Sequence, residues 1–517
     1  MASEIELKLE LPPAAADEVA RLPWLRELAC GPARHEKLVT VYFDTAKHKL
    51  RGRGLSLRIR HVGKQRLQTI KTLNDGAQGA FGRGEWEREV ERDRPDLALA
   101  AGTPLEKLAT KKLKRKLKPV FETAVQRTSM LLRCDGGDVE LAIDRGHIGA
   151  GGHRQPINEI EFELKRGDPA VLGTLAGRLA HAVPAFYGAR AKSERGYALS
   201  DGDAAQPVHA DRITLVDTVS AGDAFTAIGL SCLKQIVSNQ DAVRKGAAEG
   251  IHQMRVGLRR LRAAVSLFKK MIRGAETEAI KAELKWLTDE LGPAREVEVL
   301  IEGRVRPLRQ AEPRATGVGV LEKDLDARRD GALERAKAAL DSERYRRLGL
   351  RTALWLAQGG WALTGDPLTA ARRDRTASAF AAEALGKRLR RIVKKIAKLE
   401  ALNPRERHKL RIAAKKLRYA AEFFASLFRG RKRDARRRRT GKLLKALQGS
   451  LGTLNDIEAH KRLAREVIRA GEPSGGKAQK SFAMGFITGQ EQKQVAACLA
   501  VAAKAGRHLS AARPFWR

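Results

Sequence analysis

Glu4-Ile5-Glu6-Leu7-Lys8-Leu9 stands almost at the first methionine and decides how the N-terminal part of this chain is read. Side chains on a β-strand alternate between its two faces. Glu4, Glu6 and Lys8 therefore share one face, and Ile5, Leu7 and Leu9 the other. Two carboxylates beside a cation can hold a divalent metal and touch an anion together. A solvated strand of mixed charge has the same pattern, so the stretch has to be weighed with the strands that follow it.

Those strands repeat the theme. Alternation and turn signals such as Asp135-Gly136-Gly137 predict strands at 3–10, 38–44, 54–61, 66–72, 84–91, 130–134, 138–144 and 157–165. Residues 14–28 and 168–182 read as covering helices. Arg58 and Arg60 share a face in Leu57-Arg58-Ile59-Arg60, and Lys71 ends the next strand. Glu85 and Glu87 alternate across Trp86. Asp144 ends a strand, Glu159, Glu161, Glu163 and Lys165 line one face of another, and Lys192 and Arg195 close the series. A face open to solvent would mix its charges along each strand. Here carboxylates fill some strands and cations others, which suits the lumen of a closed barrel. Tyr42 and Phe43 read as packing residues.

The chain has 517 residues and a net charge of +39, enough for two or three domains. Residues 1–200 carry 35 basic and 26 acidic side chains, and the remainder 65 and 35, so the excess lies mainly in the C-terminal part. Its natural partners are polyanions: nucleic acid, an anionic membrane or inorganic polyphosphate. No apolar run approaches the ~18 residues of a membrane span. The acidic N-terminus lacks the apolar stretch of a signal peptide. Cys30, Cys134, Cys232 and Cys498 have no metal-ligand spacing and read as reduced thiols, so a cytoplasmic location is expected.

The boundaries expected are a β-rich domain at 1–203, a polar linker at 204–216 and an all-α domain at 217–510. The α domain holds an internal repeat. His252, Arg255, Arg259, Arg260 and Arg262 align with His408, Arg411, Lys415, Lys416 and Arg418, and Phe268 with Phe424. Leu291-Gly292 through Arg295-Glu296 aligns with Leu451-Gly452 through Asn455-Asp456. Two similar helical halves are implied, in a pseudo-two-fold arrangement. At about 100° per residue, the His and the cations at offsets 3, 7 and 10 cover an arc of roughly 80°. No acid lies between 252 and 275, or between 407 and 421. Stacked cations without compensating Glu repel one another, and the pattern occurs twice. An anion site explains this better than a solvated face. The run from Arg429 to Arg439 reads as a solvated loop or an extension of that site.

Two resemblances follow from these residues. The order Glu4-x-Glu6-x-Lys8, Tyr42-Phe43-Asp44-Thr45, Leu57-Arg58-Ile59-Arg60, Lys71-Thr72, Glu85-x-Glu87, Asp144, Glu161-x-Glu163-Leu-Lys165 and Lys192/Arg195 resembles the CYTH family of triphosphate tunnel metalloenzymes. The resemblance implies an antiparallel eight-stranded tunnel barrel that acts on a triphosphate with Mg²⁺ or Mn²⁺. Lys8, Arg58, Arg60, Lys71, Lys165, Lys192 and Arg195 would neutralise and orient the substrate. Glu4 and Glu6 would join them in catalysis as metal ligands, with Asp144, Glu161 and Glu163 as further ligands.

The repeat resembles the CHAD domain, a helical module that binds inorganic polyphosphate through a basic cavity. The ligands implied are His252, Arg255, Arg259 and Arg262 with His408, Arg411, Lys415 and Arg418. The family's usual second segment has Arg-Asp, and Arg295-Glu296 and Asn455-Asp456 each depart from it by one residue. The two resemblances together imply an inorganic triphosphatase carrying a polyphosphate-binding module, with a location on polyphosphate granules as a further implication. The alternatives are a non-catalytic polyphosphate-binding protein and a nucleic-acid-binding protein. The last finds no helix-turn-helix, zinc or RNA-recognition signature in the sequence.

Overall fold

A computed structural model describes residues 3–72, 82–202, 206–313, 317–363, 366–469 and 477–517. Residues 204 and 205 of the expected linker, and the side chain of Glu4, lie outside what is described. The chain divides into two compact units. One comprises Met1–His209, Leu233–Lys245 and Asp341–Gly360, the other Ala210–Cys232, Gly246–Leu340 and Trp361–Arg517.

The first unit is built on nine strands: β1 (Ser3–Glu10), β2 (Arg34–Asp44), β3 (Leu55–Val62), β4 (Gln65–Thr72), β5 (Gly82–Glu89), β6 (Lys118–Cys134), β7 (Gly137–Ala150), β8 (His153–Gly167) and β9 (Phe186–Tyr187). Their order is β5-β4-β3-β2-β6-β7-β8-β1-β9, with antiparallel pairing throughout. β1 pairs as well with β5, at the other end of that order, through Ser3–Gly84, Glu4–Arg83 and Ile5–Gly82. Helices α1 (Ala15–Val19), α2 (Pro23–Leu28), α3 (Lys111–Lys116), α4 (Ala170–Ala182) and α5 (Lys192–Ser200) accompany the sheet.

Apolar residues of the strands are buried in clusters with these helices and the connecting segments. Leu7 and Leu9 of β1, Leu141 and Ile143 of β7, and Ile160 and Phe162 of β8 pack with Trp24, Leu25, Leu172, Leu175 and Leu179. Leu55, Leu57, Ile59 and Ile70 form a second cluster with Leu50, Leu105 and Leu113. With alternate residues buried this way, the charged ones share the opposite face.

β6 and β7 run to 17 and 14 residues, far past the predicted 130–134 and 138–144. The inward residues of β6 include Thr123, Arg127 and Ser129, so polar residues occupy both faces and the apolar alternation is lost. At Gly146 of β7 an added Cβ would stand 1.9 Å from the Ala124 carbonyl oxygen of β6, so this crossing requires glycine.

The helices continue as α6 (Ala221–Val237), α7 (Gln240–Arg244), α8 (Ala248–Phe268), α9 (Ala275–Glu290), α10 (Gly292–Leu300), α11 (Arg306–Ala311), α12 (Val318–Asp341), α13 (Glu343–Gln358), α14 (Gly360–Leu363), α15 (Pro367–Asp374), α16 (Ala377–Ile396), α17 (Pro404–Phe423), α18 (Arg431–Arg469), α19 (Lys477–Lys493) and α20 (Val495–Ala511). No strand is assigned among the described residues of the second unit. The two sequence repeats form α8 and α17. Asn403 and Glu406 cap α17 reciprocally, with Pro404 in its first turn. The basic run after Gly430 is helical, not a loop: Arg431 opens the 39-residue α18, and Lys, Arg and Leu sustain helix across it.

Candidate active site

The charged face of the first unit lines a cavity of about 830 Å³. Glu6, Lys8, Arg58, Arg60, Lys71, Asp144, Glu161, Glu163, Lys165 and Lys192, all expected from sequence, reach it. So do Glu85 and Glu87.

Register explains the convergence. Lys8 pairs with Glu161 across β1 and β8, and Glu6 with Glu163. Glu163 pairs in turn with Glu140 of β7, which puts three carboxylates in one row over three adjacent strands. Asp144 pairs with Glu159 and with Arg127 of β6.

A dense ionic network follows. Lys192, brought in by the first turn of α5, lies 2.8 Å from Asp144, 2.9 Å from Glu159 and 2.7 Å from Glu161. Arg127 grips Asp144 with two hydrogen bonds of 2.7 Å and donates a third of 2.7 Å to Glu161. Burial works against the charges of Glu159, Glu161 and Lys192, and their partners outweigh it. Glu159 is held at about 2 despite burial, by Lys192, Lys8 and Arg195. Glu161 is held well below the usual carboxylate range despite burial, by Lys192, Arg127 and Lys8. Lys192, also buried, is driven well above the usual lysine range by Asp144, Glu159 and Glu161.

Across the cavity the balance is cationic. Lys71 and Arg58 meet Glu85 at 2.7 and 3.2 Å. Arg60 sits beside them, and the neighbouring Arg58 charge, then burial and Arg127, push its guanidinium down to about 10. Its Nε is buried without a hydrogen-bond partner. A buried guanidinium among like charges is poised for an anion.

Arg195 does not line this cavity. It lies behind it, donating to Glu159 and, at 2.5 Å, to the Pro156 carbonyl. Arg127 and Glu140, which sequence reasoning missed, do line it. The strand holding Arg127 was read too short, so the alternation that points it inward was not counted. Glu140 lies within the strand read at 138–144, two alternations before Asp144, and that shared face is the signal that could have found it.

Glu6, Glu140, Glu161 and Glu163 offer the hard oxygen donors that Mg²⁺ and Mn²⁺ take. Among the described residues no group of three or more His, Cys, Asp or Glu is gathered tightly enough to hold an ion. Lys165 instead bridges Glu140 and Glu163 at 2.7 Å each. The donor set fits a divalent cation chemically, and a lysine cation stands between two of its members.

In the second unit the repeat makes equivalent contacts in both halves. Arg255 of α8 sits against Gly292, where an added Cβ would be 3.1 Å from its Nη1, and Arg411 of α17 lies near Gly452, where an added Cβ would be 3.9 Å from its Nε. Arg262 reaches Thr288 Oγ1 at 3.4 Å, and Arg418 reaches Gln448 Oε1 at 2.9 Å. His408 contacts Asn455 through its Nδ1. The Arg259 charge bears on groups of both helices, Arg255 of α8 and Arg411 and Lys415 of α17. Burial, then Arg411 and Arg259, push the Lys415 ammonium down to about 7. Burial, then Arg295, also lowers His252, with Arg259 and Lys415 contributing. A cavity of about 710 Å³ opens on Arg411, Lys415 and Arg418, with Arg437 and Lys445 of α18 opposite them.

Residues 2–197 match the CYTH domain, and residues 227–465 match the CHAD domain. The chain carries a CYTH domain followed by a CHAD domain. Over 201 residues it is 32% identical to an inorganic triphosphatase of Haemophilus influenzae, an alignment that covers 38% of this chain and 55% of that one. An uncharacterised protein of Mycobacterium tuberculosis is 28% identical over 346 residues, 60% of this chain and 62% of its own. The chain thus spans little more than half the length of these curated relatives. The crystal structure of the CHAD domain of the plant Ricinus communis matches with 31% identity and a TM-score of 0.51, covering 60% of this chain and 98% of that one. No described helix of the chain is long and apolar enough to cross a membrane.

Proposed function

We propose that the CYTH domain hydrolyses inorganic triphosphate to pyrophosphate and phosphate with a divalent cation, and that the CHAD domain binds inorganic polyphosphate. The observation that carries this is the single cavity whose one wall is a row of carboxylates and whose other wall is cationic. The likeness to the Haemophilus triphosphatase over 201 residues supports it. The pairing of β1 with β5 supports reading the sheet as an eight-stranded tunnel, with β9 an appendage. The matched contacts of the two repeats support a pseudo-two-fold relation between the halves of the CHAD domain. The boundaries 1–203, 204–216 and 217–510 belong to the same reading.

A triphosphate is strongly anionic and repels an incoming oxygen nucleophile. Arg58, Arg60 and Lys71 would take its phosphoryl oxygens on the cationic wall, with Lys8 and Lys192 on the other. Lys165 would swing from Glu140 and Glu163 towards substrate as the carboxylates take up metal. Glu4, Glu6, Glu161, Glu163 and Asp144 remain the candidate metal ligands, and Glu140 joins them. A bound Mg²⁺ or Mn²⁺ would polarise the phosphoryl group and acidify water. Arg195 would act through Glu159, holding Lys192 in place.

A second reading has a specific observation behind it. Asp144, Glu159 and Glu161 are already neutralised by Arg127 and Lys192. A tunnel so paired could bind a phosphate chain without cleaving it, as in a granule-associated binding protein. Phosphate release from triphosphate, pyrophosphate, ATP and long polyphosphate, with Mg²⁺, Mn²⁺ or chelator, separates the two. Cation-dependent release from triphosphate supports hydrolysis, and no release with any cation supports binding alone. Nucleic acid is a less favoured partner of the CHAD domain, tested by competing duplex DNA against polyphosphate.

A further inference from the structure

The second unit has another basic hollow, of about 550 Å³, which neither the His-Arg stripes nor the tunnel explains. Its walls are the end of α8, α15, α16 and a flank of α17. That flank carries Lys409, Ile412 and Lys416, about 110° round the helix from the stripe of His408, Arg411, Lys415 and Arg418. Lys387, Arg388 and Arg391 face it from α16, and Lys269 and Lys270 from the end of α8. Glu383 is the one acid among the lining residues, and Arg375 holds it at 2.7 Å.

The floor differs from the rim. Lys387, Arg391 and Lys409 are exposed, whereas Arg388 and Lys416 are half-buried. Among the described residues the Lys416 ammonium finds only the Ser266 hydroxyl, at 3.2 Å. Burial, followed by Arg388, Arg262 and Lys269, lowers its pKa. Cations held half-buried without acids need an anion that enters the hollow. A flat bilayer surface does not reach such a floor. Single-stranded nucleic acid would look for stacking surfaces. The one aromatic ring here, Phe380, is already stacked on Phe268 with centroids 4.7 Å apart. A linear chain of phosphates has the needed charge density, slenderness and lack of bases.

We propose that this hollow is a second binding site for a linear phosphate chain, separate from the His-Arg stripes. It takes its ligand class from the polyanion reading of the second unit. Lysine footprinting of the full chain tests it. The protein, in chelator, is labelled with an amine-reactive ester with and without a phosphate chain of some fifteen units, and each lysine is read by mass spectrometry. The expected result is a several-fold loss of labelling at Lys387, Lys409 and Lys416, in the wild type and in Arg259→Gln/Lys415→Gln alike. Arg388→Gln/Arg391→Gln should restore labelling at Lys409 and Lys416, with thermal unfolding as the check on folding; the exposed Lys387→Gln is read the same way should that pair fail to fold. Unchanged labelling at these lysines, with Lys415 protected, overturns the second site and leaves the stripe reading standing. Absence of protection at Lys415 as well as here overturns both. Equal protection by duplex DNA or anionic vesicles at matched phosphate overturns the phosphate-chain assignment.

Discussion

Lys192 Nζ lies 2.7 Å from Glu161 Oε1, which ties the first turn of α5 to the carboxylate strand β8. The same ammonium also meets Asp144 and Glu159, so one cation organises three carboxylates. Lys192→Ala should lower triphosphate turnover by about a hundred-fold, the scale of one lost transition-state charge contact. It should also destabilise the fold, because three buried carboxylates lose a partner. Steady-state phosphate release and denaturant unfolding check the two effects. Unchanged turnover would remove Lys192 from the site.

Glu159 gives the first unit an acid-sensitive component. Folded, it is held at about 2, with burial outweighed by Lys192, Lys8 and Arg195. Unfolded, it returns to its ordinary 4.5. The unfolded chain therefore binds the proton more readily, and the stabilisation is full above pH 4.5 and lost as pH falls towards 2. Glu159→Gln should flatten this acid limb when unfolding is measured from pH 6 to pH 3. An identical slope in the variant would show that the burden lies elsewhere.

If the CHAD domain binds polyphosphate as proposed, Lys415 should make that binding depend on pH near neutrality. Burial, Arg411 and Arg259 lower its pKa to about 7, so above that pH the free protein carries it largely neutral. An adjacent polyanion favours the ammonium, so binding above pH 7 takes up a proton and weakens as pH rises. Calorimetry in buffers of different ionisation heat reads the uptake. Lys415→Arg, charged throughout, should lose most of it. Uptake that persists in this variant would assign the proton to another group, His252 first.

The paired stripes predict coupling. Arg255→Ala/Arg259→Ala and Arg411→Ala/Lys415→Ala should each weaken binding of a short phosphate chain, with charge-assisted contacts contributing about 1.5–3 kcal/mol apiece. Combined, they should lose less than the sum if one chain touches both helices. Strict additivity in salt-matched titrations would place a separate chain on each stripe.

Much of the charged cavity was legible because its lining charges alternate with apolar residues on the other face. Leu7 and Leu9 beside Glu6 and Lys8, and Ile160 and Phe162 beside Glu161 and Glu163, carry a clean period of two. Arg127 escaped because Thr123 and Ser129, on the same inward face, look like surface residues. Arg195 shares a helix face with Lys192 in sequence, and only the fold puts it behind Glu159. The repeat revealed α8 and α17 directly. The hollow beside Lys416 did not show, because its cations come from four helices and no periodicity joins them. The basic run of α18 was ambiguous because repeated arginine suits a solvated loop as well as a helix.

Phosphate release from inorganic triphosphate by the wild-type chain and by Glu6→Gln, each with Mg²⁺, Mn²⁺ or excess chelator, tests the central claim most directly. Glu6 lines the cavity on β1 opposite Glu163 and contributes no apolar packing, so the variant should keep its unfolding midpoint. The expected result is rapid release by the wild type with a divalent cation, none in chelator, and a loss of at least a hundred-fold in Glu6→Gln. Release that is undiminished in chelator, or in the folded variant, would contradict a carboxylate-held metal at the centre of this tunnel.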